Sequence, residues 1–188
     1  MKKAYHLIET IAIKRNILIG LFLIILFNTF LLPILPSILW GSKISLSNIL
    51  DLKFSYHTDE CYTLFAALGK LGRKSYLLSA LFIDNLYAIV YSTTYASIVF
   101  ILLKTNKLLN YKMLIFIPFI IGIFDYFENF GIITMLYYYP LKMEKLVVFS
   151  SLSTSIKWIF AFATFIIILG NLILFLLHKI KTNFTTKI

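Results

Sequence analysis

The sequence predicts an all-α fold: a four-helix transmembrane bundle with a short amphipathic helix in the first extracytoplasmic loop. Of its 188 residues, 60% are hydrophobic and only 14% are charged, whereas soluble domains are about 45–50% apolar and about 25% charged. A soluble chain of this length buries only about 70% of its surface, so a water-soluble fold would expose far too much apolar area. A soluble enzyme and a disordered chain are therefore both excluded.

Four apolar stretches reach the roughly 20 residues that a helix needs to cross about 30 Å of hydrocarbon. The predicted spans are 17–40, 77–103, 113–139 and 147–177, and together they form one membrane domain over 1–188. The first follows four basic residues, as a signal peptide would, but it is longer than a typical signal core and no A-x-A-like site follows. We therefore expect a retained helix, kinked at its far end by Pro33 and Pro36.

The loop 41–76 contains the pattern of a short helix. Thr58 is the predicted N-cap, and Asp59 and Glu60 would lie in the first turn, where negative charge is favourable. Either Gly69 or Gly72 would end the helix. Two interpretations stay open: a helix packed at the membrane interface, or a lid over an outward-facing cavity. The predicted apolar stripe consists of Cys61, Leu64, Phe65 and Leu68.

The net charge of +10 comes mainly from lysines at the ends of apolar runs, which indicates membrane topology and not nucleic-acid binding. Both tails and the loop between spans two and three carry ten Lys and Arg residues; the opposite side carries seven, diluted by four acids. This bias predicts an integral protein of the cytoplasmic membrane with both termini cytoplasmic. Tyr137, Tyr138, Tyr139 and Trp40 would form part of an outer aromatic belt.

In each of three spans the polar side chains lie on one face of the helix, because they are three, four or seven residues apart in the sequence. Counted from the cytoplasmic ends, they all reach the outer half of the bilayer. Isolated charges there are costly, so these groups should face one another inside the bundle. The predicted ligand- or ion-binding residues are Asp84, Tyr87, Tyr91, Asp125, Glu128, Asn129, Ser153 and Lys157.

The three carboxylates of this set outnumber its one ammonium group by two. Clustered carboxylates without partners either retain a proton or bind a cation, so a cation or a lipid headgroup is the expected ligand. Arg73 and Lys74 could fold over the site from outside. Structural alternatives remain, since Asp84 could reach the interface, Lys157 could snorkel outward and the tyrosines could be ordinary packing.

Small residues recur every four positions at Ala88, Ser92 and Ala96. This spacing lets helices approach closely, either within the bundle or at the face of a homo-oligomer. Cys61 is the only cysteine, which excludes an internal disulfide and a thiolate metal cluster.

Several short motifs between His57 and Trp158 are typical, in combination, of a known group of membrane proteins. They are Asp59-Glu60-Cys61-Tyr62, Leu68-Gly69, Gly72-Arg73, Tyr76, Asp84 with Tyr91, Asp125-x-x-Glu128-Asn129, and Lys157-Trp158. The chain resembles, over this region, a widespread group of small four-span bacterial integral membrane proteins. The resemblance implies the four-span fold and implies no activity, cofactor or partner.

Three functions are compatible with the pattern. The first is binding or translocation of a cation, a proton or a small amphipathic ligand at the polar face. The second is a structural or accessory subunit, acting with a partner membrane protein, whose polar network fixes helix packing. The third is an intramembrane enzyme acting on lipid, with Asp125 or Glu128 as general base or metal ligand. No cofactor is predicted.

Overall fold

The structure is a computed structural model, which describes residues 2–35, 38 and 49–185, with side chains up to 180. These residues form an all-α bundle, as predicted, and within them no strand occurs. Four helical segments are long and apolar enough to span a membrane: Lys14–Leu31, Gly69–Thr105, Leu109–Tyr137 and Glu144–Ile180. We call them the first to fourth spans. The chain is therefore an integral membrane protein by the length and composition of its helices.

An N-terminal helix, Lys2–Ile11, precedes the first span and was not predicted. It is amphipathic: Ile8 and Ala12 are buried against Phe100 and Leu103 at the end of the second span. The sequence analysis missed this helix because the N-terminal lysines were interpreted only as a signal of membrane topology.

The first span is α-helical over Lys14–Leu26 and π-helical over Phe27–Leu31. The predicted end of the span at 40 lies outside the described residues, as do Pro36 and Trp40. The regular helix ends at Leu31 and turns follow at 32–34, because Pro33 lacks a backbone N–H and disfavours helix in the residue before it.

The second span begins earlier than predicted, so residues 69–76 are helical and not part of the loop. It comprises Gly69–Leu78, a π-helical turn Ser79–Asp84, and Asn85–Thr105. Hydropathy missed the first two turns because Arg73 and the lysines beside it are polar, although Ser75 and Tyr76 on the opposite face are buried.

The third span joins a 3₁₀ segment, Leu109–Phe116, to the α-helix Ile117–Tyr137. The fourth is one helix, Glu144–Thr185, which begins three residues before the predicted boundary. Its most extensive packing is with the third span, and the third packs in turn on the second. The first span packs mainly on the second, so it lies at the edge of the bundle.

Residues 49–68 are the described part of the segment that leads into the second span. It contains a 3₁₀ turn, Leu50–Leu52, and the connector helix Thr58–Ala67. Thr58 is the first helical residue and His57 is the N-cap, with no side-chain cap bond, so the predicted cap was wrong by one residue. Gly69 ends this helix with φ of +62°, a conformation that suits glycine.

The apolar stripe of the connector helix packs as predicted. Cys61 and Phe65 are fully buried, and they join Leu50, Ile132 and Met135 in one cluster. The helix is thus packed on the third and fourth spans, which favours the packing interpretation over a freely moving lid.

Close helix approach in the core depends on small residues. Gly122 of the third span lies against Ser92 and the carbonyl of Ala88, so the small-residue stripe of the second span packs inside the bundle. Gly131 lies against Ser150 of the fourth span so closely that an added Cβ would overlap its hydroxyl.

We expect Gly131→Ala to lower the stability of the protein measurably, because the Ser150 hydroxyl must give up its bond to the carbonyl of Glu128 and the methyl group still lies 3.1 Å from the Ser150 Cβ. The matched control is Gly170→Ala in the fourth span, where a Cβ would meet nothing within 4 Å. That change should be neutral or raise stability by up to about 1 kcal/mol, since alanine is the better helix former. Thermal unfolding in detergent measures both, and equal effects would contradict the close approach.

Candidate functional site

The ammonium group of Lys157 lies at the centre of a buried ionic network. It is 2.9 Å from Oδ1 of Asp125 and 2.7 Å from Oε2 of Glu128, both on the third span. It also pairs with Asp51, in the 3₁₀ turn between the first two spans. Glu128 is completely buried, and Asp125 and Lys157 are 3% and 7% exposed. The lysine does not snorkel outward; three carboxylates hold it inside the protein.

The second span contributes the next shell of hydrogen bonds. The hydroxyl of Tyr91 donates to Oδ2 of Asp125 over 2.9 Å. Asp84, at the end of the π-helical turn, accepts a bond of 2.9 Å from the side-chain amide of Asn129. Asp84 is buried and has no ion-pair partner among the described residues. It does not reach outward as the alternative reading allowed.

Asp51 was not predicted as a site residue, since it was counted as one of the outer-loop charges. Its flanking residues, Leu50 and Leu52, are the signal that could have found it, because an acid between two leucines is unusual in a solvated loop. With Asp51, the site has four carboxylates and one ammonium group, so the excess of acid is three rather than two.

A strap of residues 49–57 is bonded along one side of the fourth span. The hydroxyl of Ser155 donates to the carbonyl of Phe54 (2.8 Å), and the indole N–H of Trp158 donates to the carbonyl of Asp51 (3.3 Å). The backbone N–H of Tyr56 donates to Ser151 (2.9 Å). Serine and tryptophan side chains at this spacing therefore hold the strap over the ionic network. Tyr56 is buried there, and burial raises the pKa of its phenol.

A cavity of about 490 Å³ adjoins the network. The second and fourth spans supply most of its walls, two residues come from the third span and one comes from the first. One end is polar, with Asp51, Asp84, Asp125 and Lys157; the other end is apolar, with Ile98 and Ile168. The remaining wall residues are Asn28, Leu32, Leu52, Tyr87, Tyr91, Tyr95, Ile121, Trp158, Ala161, Thr164 and Phe165.

Two π-helical turns in the described part of the chain each contribute a residue to the polar end of this cavity. Asn28, in the first, donates to the hydroxyl of Tyr87 over 2.6 Å, and Asp84 ends the second. Such turns are rare and occur frequently at functional sites. Asn28 is a second residue that sequence reasoning missed; a polar amide within an apolar span was the available signal.

Some buried polar atoms near the site lack hydrogen-bond partners within the described part of the chain. They include Oε1 of Glu128, the hydroxyl of Tyr56 and the hydroxyl of Thr164, and of these three residues Thr164 lines the cavity. An unpartnered buried polar atom costs about 1–3 kcal/mol, so a ligand or water that binds these atoms would be stabilised by them.

Most of the predicted residues come together, with two qualifications. Tyr87 lines the cavity but bonds to Asn28 and not to a carboxylate. Ser153 is buried and its hydroxyl donates to the carbonyl of Phe149 in its own helix, so it makes no contact with the network. The expectation for Arg73 was wrong: its guanidinium stacks 4.0 Å over the ring of Tyr139 and donates to the carbonyl of Phe65.

A divalent cation is one ligand that these side chains could hold. Single oxygen atoms of Asp51, Asp125 and Glu128 lie within 4.8 Å of one another, and carboxylate oxygens suit magnesium and calcium. The ammonium of Lys157 lies among the same three groups, so a metal would have to displace it.

The fold and the site together define a polytopic α-helical membrane protein with a buried ionic network beside an amphipathic cavity. Comparison of the chain with protein-family models, with curated proteins and with solved structures finds no match.

Proposed function

We propose that the protein binds a small amphipathic ligand within the membrane. The observation that carries the proposal is the 490 Å³ cavity, which is apolar along most of its length and ionic at one end. Binding sites for small molecules have volumes of about 300–1,000 Å³ and combine apolar walls with a few convergent polar groups. A purely structural network would need no adjoining cavity.

The exterior of the bundle supports entry of the ligand from lipid. Phe165 and Leu52 line the cavity and are 58% and 54% exposed. They lie on the fourth span and on the strap, so the opening is on the side surface of the bundle. Apolar residues such as Phe22 on the first span and Phe162 on the fourth are also exposed, as expected of a surface in contact with acyl chains.

The orientation that we propose has both termini in the cytoplasm. The ionic end of the cavity then lies in the outer half of the bilayer, beneath the strap, and the apolar end points toward the inner leaflet. The positive-charge bias of the loops supports this arrangement. Translocation would need a route below Ile98 and Ile168, where the cavity ends in apolar residues, so binding is the function that the geometry favours.

The proposal is tested by filling the cavity. Ala161→Phe places a ring in the cavity wall, and it should abolish the stabilisation that amphiphiles of suitable chain length confer on the wild type. Ligands that bind only the native state raise its stability in proportion to the logarithm of their concentration. The measurement is the shift of the unfolding temperature in detergent with a panel of single-chain amphiphiles.

The control is Ala163→Phe, two residues along the same helix and outside the residues that line the cavity. This variant should retain the full ligand-induced shift. If no amphiphile stabilises the wild type, or if both variants respond like it, the cavity is not a binding site. The network would then be structural, and an accessory role beside a partner protein would lead. Turnover of an added lipid by wild type but not by Glu128→Gln would instead indicate an enzyme.

A further inference from the structure

The charge balance at the polar end of the cavity indicates which amphiphile fits. Asp51, Asp84, Asp125 and Lys157 line that end, and the ammonium group is already shared among Asp51, Asp125 and Glu128, which lies behind the cavity wall. Asp84 accepts only the amide of Asn129 and has no cationic partner among the described residues. Carboxylates in a low-dielectric interior are stable only when charge or hydrogen bonds compensate them. Asp84 has a hydrogen-bond donor but no opposite charge beside it, so a cationic ligand would be stabilised there.

The walls around Asp84 are of the kind that bind ammonium groups. Tyr87 and Tyr91 follow it on the same span, with ring centroids 5.1 Å apart and an interplanar angle of 73°, and Trp158 of the fourth span lines the same cavity. Aromatic faces attract cations, and aromatic cages are a recurrent way to recognise ammonium ligands. A smaller cavity of about 150 Å³ also borders Asp84 and Asp51, which provides room for the head of a ligand.

The length of the cavity indicates a single apolar chain. Its lining on the second span runs from Asp84 to Ile98, fourteen residues or about 21 Å of helix. A volume of 490 Å³ spread over this length has room for one extended hydrocarbon chain. The buried hydroxyl of Thr164 lies partway along the wall, where it has no partner among the described residues.

We infer that the ligand is a single-chain ammonium amphiphile, with its cationic group between Asp84 and the tyrosine wall and its chain extended toward Ile98 and Ile168. This inference rests on the proposed function and adds the charge of the ligand and the number of its chains. A long-chain amine and a lysolipid with an ethanolamine headgroup share this chemistry, and the experiment separates them.

The test compares dodecylamine, dodecanol and dodecanoate, which share a chain length and differ in charge. Thermal unfolding of the purified wild type should show the largest stabilisation with the amine, and its apparent affinity should exceed that of the alcohol at least tenfold. A lysolipid with an ethanolamine headgroup is compared with its glycerol analogue, which lacks the ammonium group. Stabilisation by the ethanolamine lysolipid alone would assign the charge to a lipid headgroup; stabilisation by dodecylamine alone would assign it to a free amine.

The variant Asp84→Asn should reduce the affinity for the ammonium ligand at least tenfold and leave the affinity for dodecanol unchanged. Asp59→Asn makes the same change of charge at a carboxylate that is 95% exposed, and it should bind like the wild type. Because Asp84→Asn could fail to fold, Tyr87→Leu gives a second arm that removes the aromatic wall and keeps the carboxylate.

The outcomes separate the two proposals. If dodecanol or dodecanoate stabilises the wild type as strongly as the amine, the ligand class is wrong and amphiphile binding stands. If none of the amphiphiles stabilises it, the proposed function itself fails. If Asp84→Asn and Tyr87→Leu both keep the preference for the amine, the ammonium group is not held at Asp84.

Discussion

Replacing Lys157 with methionine should cause the largest loss of stability of any single substitution in this protein. The ammonium group is the only cation that pairs with Asp51, Asp125 and Glu128 among the described residues, and its removal leaves these carboxylates adjacent and uncompensated. Breaking a buried ion pair from one side costs about 3–5 kcal/mol. Unfolding of the purified variant, followed by temperature or denaturant, should show a loss of this size.

Two further variants make this expectation specific. Lys145→Met, in the exposed first turn of the same helix, should leave stability within about 0.5 kcal/mol of the wild type. Combining Lys157→Met with Glu128→Gln should recover part of the loss, because one of the three unpaired carboxylates is then neutral. A Lys157→Met protein as stable as the wild type would mean that the carboxylates are not ionised together, and the network described above would be wrong.

Asp51→Ala should release the strap from the fourth span, with Cys61 as a built-in reporter. Leu50 and Cys61 pack in one cluster and are both fully buried. Burial raises the pKa of the Cys61 thiol to about 12, with a further contribution from Glu60. At pH 8 about one thiol in 10⁴ is then ionised in the closed state, and the thiolate is the reactive form. Labelling by a maleimide therefore requires local opening.

Removing the Asp51 carboxylate should accelerate maleimide labelling at least tenfold. Each 1.4 kcal/mol by which the closed state is destabilised relative to the open state raises the population of the open state tenfold. Labelling through the open state should rise with pH up to the ordinary thiol pKa of about 8.5 and then level off; labelling of the closed state would continue to rise toward pH 12. The matched control is Asp59→Ala, at an exposed carboxylate two residues from the cysteine. An equal rate in the two variants would contradict the proposed anchoring of the strap.

A surface ion pair joins the middle of the strap to the connector helix. Lys53 pairs with Glu60 in the first turn of that helix, and this contact holds the pKa of Glu60 below its usual value. Both groups are partly exposed, so the pair contributes little to stability.

The sequence by itself determined the fold class, the four spans and most of the site. The length and composition of the apolar stretches were sufficient to predict the spans, because a helix can cross lipid only when its backbone hydrogen bonds are satisfied internally. Helical periodicity was sufficient to place Asp84 with Tyr91 on one face and Asp125 with Glu128 on another, since charged groups inside a bilayer must turn toward one another.

Only the tertiary structure decided which of these groups pair. Lys157 pairs with Asp125 and Glu128 on the third span and with Asp51 on the strap. Asp84 instead accepts a hydrogen bond from the side-chain amide of Asn129. Asp51 belongs to a segment without helical periodicity, so its place depends on contacts with residues about 100 positions away, such as Ser155 and Trp158. The cavity depends in the same way on how far apart the first and fourth spans lie, which side-chain packing sets and local sequence pattern does not.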